Sequence, residues 1–285
     1  MRHPIHLVVS RHPLATYFAL VCLISWAAVA WLVVPTRIPG TGAEYASRGP
    51  LVFLAMLLGP SLTGLGLTAL YGGRSGMREL WSRQRRWRLG RWWAAPLITP
   101  ALILVLGTLW VWSPDLLPGV LTTPDRGSLI ALAVVVGVLA GLLEELGWTA
   151  FALPRMLERR GWATAGLALG LVWGLWHLLS DYWGTADVWG PLYVARYLPW
   201  CGAAFTAYRM LIAWAVSHTN SLLLAQLMHA GFTGGQVLLT PALSPSSAGL
   251  VWYVAFAAGL WLIVGAVLLV EAARHRTVIA GYAHG

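Results

Sequence analysis

Apolar residues along this chain run in blocks of about twenty, separated by short connections rich in proline, glycine or arginine, and they neither alternate nor repeat every 3.6 positions. Blocks of that length cross a hydrocarbon core of about 30 Å at 1.5 Å per residue, so the pattern predicts an all-α, polytopic membrane protein. The spans fall near Leu14 to Val34, Leu51 to Tyr71, Trp92 to Trp112, Leu129 to Leu153, Ala163 to Trp183, Trp200 to Val216, Ser221 to Leu239 and Leu250 to Val270. About eight helices in one membrane domain, residues 1–285, are expected to enclose an intramembrane polar cavity. The sixth is the weakest span, because Arg209 lies within it and Pro199 sets its start. The first block follows basic residues as a signal peptide would, but it continues to full spanning length and reads as an uncleaved helix. Long connections are expected at Pro35 to Pro50, Ser113 to Gly127 and Gly184 to Pro199.

Composition agrees with this reading, with 58% of 285 residues hydrophobic and 10% charged. The net charge of +9 would suit a nucleic-acid partner, yet its distribution points elsewhere. Every basic residue other than histidine is arginine, and most arginines lie on one side of the predicted membrane, at Arg74 to Arg91 and Arg155 to Arg160. Only Arg37, Arg48, Arg126 and Arg196 lie on the other side. The positive-inside rule then places both termini in the cytoplasm, with the cell (inner) membrane as the location. The run RELWSRQRRWRLGRWW from Arg78 interleaves tryptophan with arginine between two spans, which fits an interfacial helix on anionic headgroups; the partner is the lipid bilayer, with no nucleic acid. Cys22 and Cys201 lie in or beside spans, so neither a disulfide framework nor a Cys-x-x-Cys metal motif is present.

Few ionisable residues remain well inside the spans: Glu144, Glu145, His177, Arg209 and His229. A charged side chain at a helix centre costs roughly 2.5 to 3.5 kcal/mol on insertion scales, so two adjacent glutamates call for a reason. Counted along their helices, Glu144 and His177 lie about 16 and 24 Å from the connection that joins their spans, and His229 about 12 Å above Ser221. With tilt, the three meet at one level. Glu145 and Thr149, Trp173 and His177, and His229 and Thr233 are i, i+4 pairs that share helix faces, whereas Glu144 and Glu145 point about 100° apart. One carboxylate is thereby free to face a cavity while the other is held by neighbouring helices.

A buried carboxylate within reach of histidines is sufficient to activate water without a covalent nucleophile, with a second histidine and a hydroxyl or amide donating to the developing oxyanion. The same donors also suit a catalytic divalent metal such as zinc with an open position for water, and the residues do not choose between the two. Intramembrane acids and histidines also build proton relays in transporters. Arg209 is expected to be structural, snorkelling or pairing with a carboxylate. Trp148, Trp173 and Trp176 are expected as apolar fillers, Asp181 and Asp187 as solvated loop residues, and His218 as a histidine in a cytoplasmic turn.

The motifs EELGWT (Glu144 to Thr149), WGLWH (Trp173 to His177) and HAGFT (His229 to Thr233) resemble, in order and spacing, the Glu-Glu-x-x-x-Arg, Phe-x-x-x-His and His-x-x-x-Asn motifs of the CAAX protease and bacteriocin-processing (CPBP) family, which contains the type II CAAX prenyl endopeptidases. The resemblance runs from about Leu129 to Thr240. It implies an intramembrane peptidase acting on a membrane-associated or lipid-modified peptide, with a cavity open toward the cytoplasmic leaflet. By position, Glu144 and His177 would hold and activate water, Glu145 would support the first carboxylate, and His229 with Thr233 would stabilise the oxyanion. Such proteins are often called metalloproteases, and a metal-free glutamate mechanism has also been proposed for relatives. Thr149 stands where the family has arginine, Thr233 where it has asparagine and Trp173 where it has phenylalanine. These departures leave room for a catalytically silent relative, a membrane scaffold or bacteriocin self-protection protein.

Overall fold

A computed structural model describes residues 11–243 and 245–283, with side chains to Arg274. Its elements are helical throughout the described residues: α1 (Pro13–Val33), α2 (Gly42–Gln84), α3 (Ile98–Leu106), α4 (Arg126–Gly147), α5 (Trp162–Trp176), α6 (Leu178–Trp189), α7 (Phe205–Thr219), α8 (Leu222–Leu239) and α9 (Ser247–Ala283). Six stretches among them are long and apolar enough to cross a membrane, or seven when the bent run from α5 through α7 is taken as one span. The protein is thus an all-helical, multi-pass membrane protein.

The expected eight spans map onto helical segments, and the fifth and sixth fall on α5 and α7, each of 15 residues and joined by a bent helical run. α5 has 15 residues, about 22 Å of rise, and ends at Trp176, where the chain bends by 54°. The segment expected as a loop from Gly184 to Pro199 is helical as far as Trp189 and again over Tyr193–Tyr197. The second span begins nine residues early, at Gly42, because Thr41 and Glu44 form a reciprocal capping box. It runs on to Gln84, so the first part of the arginine–tryptophan run is α-helical, and the run's last residues lie in a 3-10 helix, Gly90–Leu97. Beyond Gln84, Trp87 and Trp93 stay largely exposed, as an interfacial segment requires.

Two close helix approaches position the polar residues. On α4, a side-chain carbon at Gly141 would lie 2.3 Å from the Gln226 carbonyl of α8. On α5, one at Gly170 would lie 2.6 Å from Thr206 Cα, just before the start of Arg209's turn on α7. Only glycine permits these contacts, and in a bilayer such backbone-to-backbone packing replaces the hydrophobic drive that water would supply. The joint between α7 and α8 is two residues long: Asn220 adopts a left-handed conformation (φ 48°), and Ser221 caps α8 by accepting from the Leu224 N–H. Arg209 and His229 therefore sit on antiparallel neighbours, each facing α4.

Candidate active site

The helix bearing the glutamates does not continue regularly. After Gly147 it opens into a π-helical turn, Trp148–Ala152, a local widening that re-aims side chains and leaves carbonyls needing new donors. Arg83 of α2 supplies them, donating to the carbonyls of Thr149 (3.1 Å) and Ala150 (3.3 Å).

Glu145 is completely buried and fully committed to protein donors. Arg209 Nη1 lies 2.8 Å from both of its oxygens, His229 Nδ1 donates to Oε1 at 2.6 Å, and the Thr149 hydroxyl donates to Oε2. Arg209 is equally buried and lies over the Trp173 ring, 4.4 Å from its centroid. The cation that Thr149 does not provide thus arrives from α7. Arg155 plays no part, donating instead to the Phe151 carbonyl and lying over that ring. Glu145 reaches Arg209 and His229 rather than its neighbour Glu144, so what it orients is the imidazole.

Glu144 has a different environment. Its Oε2 accepts from the indole N–H of Trp173 at 2.9 Å and of Trp148 at 3.3 Å, and lies 3.9 Å from His229 Nε2. Oε1 takes no hydrogen bond among the described residues, and Glu144 lines a cavity of about 330 Å³. Trp148 and Trp173, expected as fillers, are donors, whereas Trp176 is fully buried with no partner for its N–H among the described residues. The signal for Trp148 was present in its i+4 spacing from Glu144. For Trp173 it lay in the replacement of a family phenylalanine by an aromatic with an N–H.

His177 sits at the bend itself. The break between α5 and α6 frees carbonyls that would otherwise cost several kcal/mol each in lipid. Their donors are local and tertiary: His177 Nδ1 donates to the Trp173 carbonyl (2.8 Å), Trp26 to that of Trp176 (2.8 Å) and Tyr197 to that of Gly174 (2.9 Å). Because a carbonyl only accepts, Nδ1 carries the proton and Nε2 is the acceptor nitrogen. The rings of Trp173 and His177 are 5.4 Å apart and those of Trp173 and His229 5.2 Å, so one indole separates the two imidazoles. His177, His229, Glu144 and Thr233 all line the same cavity, and Glu145 lies behind it.

The cavity extends from Glu144 and His229 toward Tyr45, Asp181, Thr185 and Arg196, away from the arginine-rich segments. Its far end lies at the end of the bundle opposite those segments. Asp181 is no solvated loop residue: it lies on α6, and both of its oxygens accept from Arg196 Nη1, at 2.8 and 3.0 Å, with both side chains nearly buried. Asp187 does pair in the open, with Arg37. His218 stays away from the site, in the last turn of α7, with Nε2 3.6 Å from Glu271. Cys22 and Cys201 are free thiols.

Glu144, His177 and His229 are the donors a divalent metal would draw on. As placed, no group of three His, Cys, Asp or Glu side chains among the described residues has the geometry to hold one. Glu144 Oε2 and His229 Nδ1 are already engaged with protein partners.

Residues 126–234 match the Rce1-like family, described as type II CAAX prenyl endopeptidase Rce1-like. The match takes in all three motifs, and the relation to CAAX proteases that they carry stands. No curated protein matches the chain.

Proposed function

From this relation to the type II CAAX prenyl endopeptidases, we propose that the protein is an intramembrane endopeptidase that hydrolyses a peptide bond of a membrane-associated or lipid-modified substrate with water activated by Glu144 and His177. The observation that carries the reading is the unequal treatment of the two glutamates. Glu145 is saturated by Arg209, His229 and Thr149, whereas Glu144 is fixed through one oxygen and presents the other to a cavity shared with His177, His229 and Thr233. A general base needs one anchored and one open oxygen.

In this reading water sits between Glu144 Oε1 and His177 Nε2. Glu144 takes its proton as the oxygen attacks the carbonyl carbon. His229, held by Glu145 as a triad histidine is held by its aspartate, carries protons on both ring nitrogens in this role, so that Nε2–H and the Thr233 hydroxyl donate to the oxyanion. Glu144 then returns the proton to the amine as the C–N bond breaks. The reaction needs only the chain's own side chains and water. The cavity's apolar walls, among them Val52, Met56, Phe205 and Phe232, suit an apolar segment beside the scissile bond. The protein lies in the inner membrane with both termini cytoplasmic, and substrate enters from the outer end of the cavity.

The test uses purified full-length protein in proteoliposomes with single-span and prenylated peptides, read by mass spectrometry of the products. Glu144→Gln and His177→Ala should each lower the cleavage rate by roughly 10²- to 10⁴-fold. Cleavage that both substitutions leave unchanged, or no cleavage of any peptide by the wild type, would sink the proposal.

A further inference from the structure

A second cavity, of about 540 Å³, lies at the arginine-rich end of the bundle, between the start of α1, the C-terminal half of α2 and the short helix Leu153–Leu157. Beyond a break in α2 at Gly73, where φ is 52°, Ser75, Glu79 and Arg83 face it at i, i+4 spacing, Thr68 faces it from before the break, and Gly72 leaves the space open. Arg83 is only 4% exposed. Its two terminal nitrogens donate to the Thr149 and Ala150 carbonyls, its Nε has no partner, and it forms no ion pair among the described residues. The Thr68 hydroxyl is also buried without a partner. Glu79, one turn before Arg83 and lining the same cavity, attracts the guanidinium without forming an ion pair, and a guanidinium withdrawn from water without a paired anion is strongly unfavourable. Arg11, Arg155 and Arg159 line the same cavity, so four arginines face Glu79 and Glu158 and the charge is left in positive excess.

We propose that this cavity binds a phosphate-bearing anion through Arg83, and that its source is the headgroup of an anionic phospholipid. Basic pockets between helices at the charged membrane surface recognise such headgroups, and the long arginine side chains reach them from either flank. The site is coupled to the first. The carbonyls that hold Arg83 belong to the π-helical turn, and the hydroxyl of the same Thr149 donates to Glu145. A phosphate on Arg83 completes its charge balance and steadies the turn that carries the glutamates.

The test does not depend on peptidase activity. Detergent-solubilised full-length protein is titrated with phosphatidylglycerol, with phosphatidylcholine as the neutral lipid and inorganic phosphate as the headgroup-free anion, and the thermal unfolding midpoint is followed. Phosphatidylglycerol should raise the midpoint saturably and phosphatidylcholine should not. Arg159→Gln should raise the half-saturating concentration about fivefold, and Glu158→Gln should lower it by a similar factor. Arg83→Gln should remove the saturable rise. If that variant fails to fold, the exposed pair Arg159→Gln and Glu158→Gln decides. A saturable rise with inorganic phosphate that answers to the same substitutions keeps the anion site but overturns the lipid source. No saturable rise with either anion, or one that every substitution leaves unchanged, overturns the site.

Discussion

The Arg209–Glu145 pair offers the most direct physical test of how the candidate site is held together. Both side chains are 0% exposed and meet at 2.8 Å. Coulomb attraction across such a pair, at the effective dielectric that best describes protein sites, is about 4 kcal/mol or more, but most of it offsets the cost of burying two charges. Removing one partner is therefore far more damaging than removing both: a stranded buried charge costs roughly 3–5 kcal/mol. Arg209→Met should fall near the lower end, because Glu145 keeps the donors from His229 and Thr149. Glu145→Leu should fall near the upper end, because Arg209 would retain only the Trp173 face. Additivity would put the double variant at about 8 kcal/mol, but it should cost no more than the worse single change, a coupling of about 3 kcal/mol or more. The assay is reversible unfolding in mixed micelles with increasing dodecyl sulfate, followed by circular dichroism. Singles within about 1 kcal/mol of wild type, as for exposed pairs, or an additive double variant, would refute the reasoning. Peptidase activity separates orientation from stability: the stable double variant still lacks the acceptor that holds His229 and should stay roughly 10²- to 10⁴-fold slow.

Three further outcomes are expected. Trp173→Phe keeps a ring in the slot but removes the 2.9 Å donor to Glu144, a charge-assisted bond worth roughly 1.5–3 kcal/mol, so kcat should fall by one to two orders of magnitude while KM changes little; an unchanged kcat would mean that the indole does not hold the base. Gly141→Ala would press a methyl onto the Gln226 carbonyl at 2.3 Å and should destabilise by roughly 1–3 kcal/mol in the same micelle assay, whereas Gly66→Ala, whose methyl meets nothing within 4 Å, should not. Treatment with a strong divalent chelator should leave the cleavage rate unchanged; loss of activity restored by one added metal would replace the water mechanism proposed above with a metal-assisted one.

Much of this arrangement was legible in the chain because its signals are local. Blocks of twenty apolar residues announce spans, and 1.5 Å steps from the connections place Glu144, His177 and His229 at compatible depths. The i, i+4 pairing of Glu145 with Thr149 likewise holds as a hydrogen bond. The features that escaped depend on partners distant in sequence. The break at His177 is stable only because Trp26 and Tyr197, 150 and 23 residues from the carbonyls they serve, take up what the bend releases. Asp181 looked solvated because its partner, Arg196, lies on another helical segment within a stretch that had no apolar periodicity to announce it.

Thr149 joins the two kinds of information. Read alone, it removes a cation from beside Glu145, on the same helix and one turn away. In the folded chain the cation comes from α7, 64 residues later, and the threonine hydroxyl occupies the remaining acceptor position on the carboxylate. This shift of the charge from the same helix to its neighbour has a mechanical consequence. An arginine on α4 would follow Glu145 wherever that helix moved, but Arg209 stays in place only while α7 keeps its distance from α4. That distance depends on α5, which packs against α7 at Gly170 and places Trp173 beneath the guanidinium. The orientation of His229 is therefore tied to the packing of α5 against α7, and a substitution such as Gly170→Ala, remote from the cavity, should lower the cleavage rate by displacing Arg209 before it unfolds the protein.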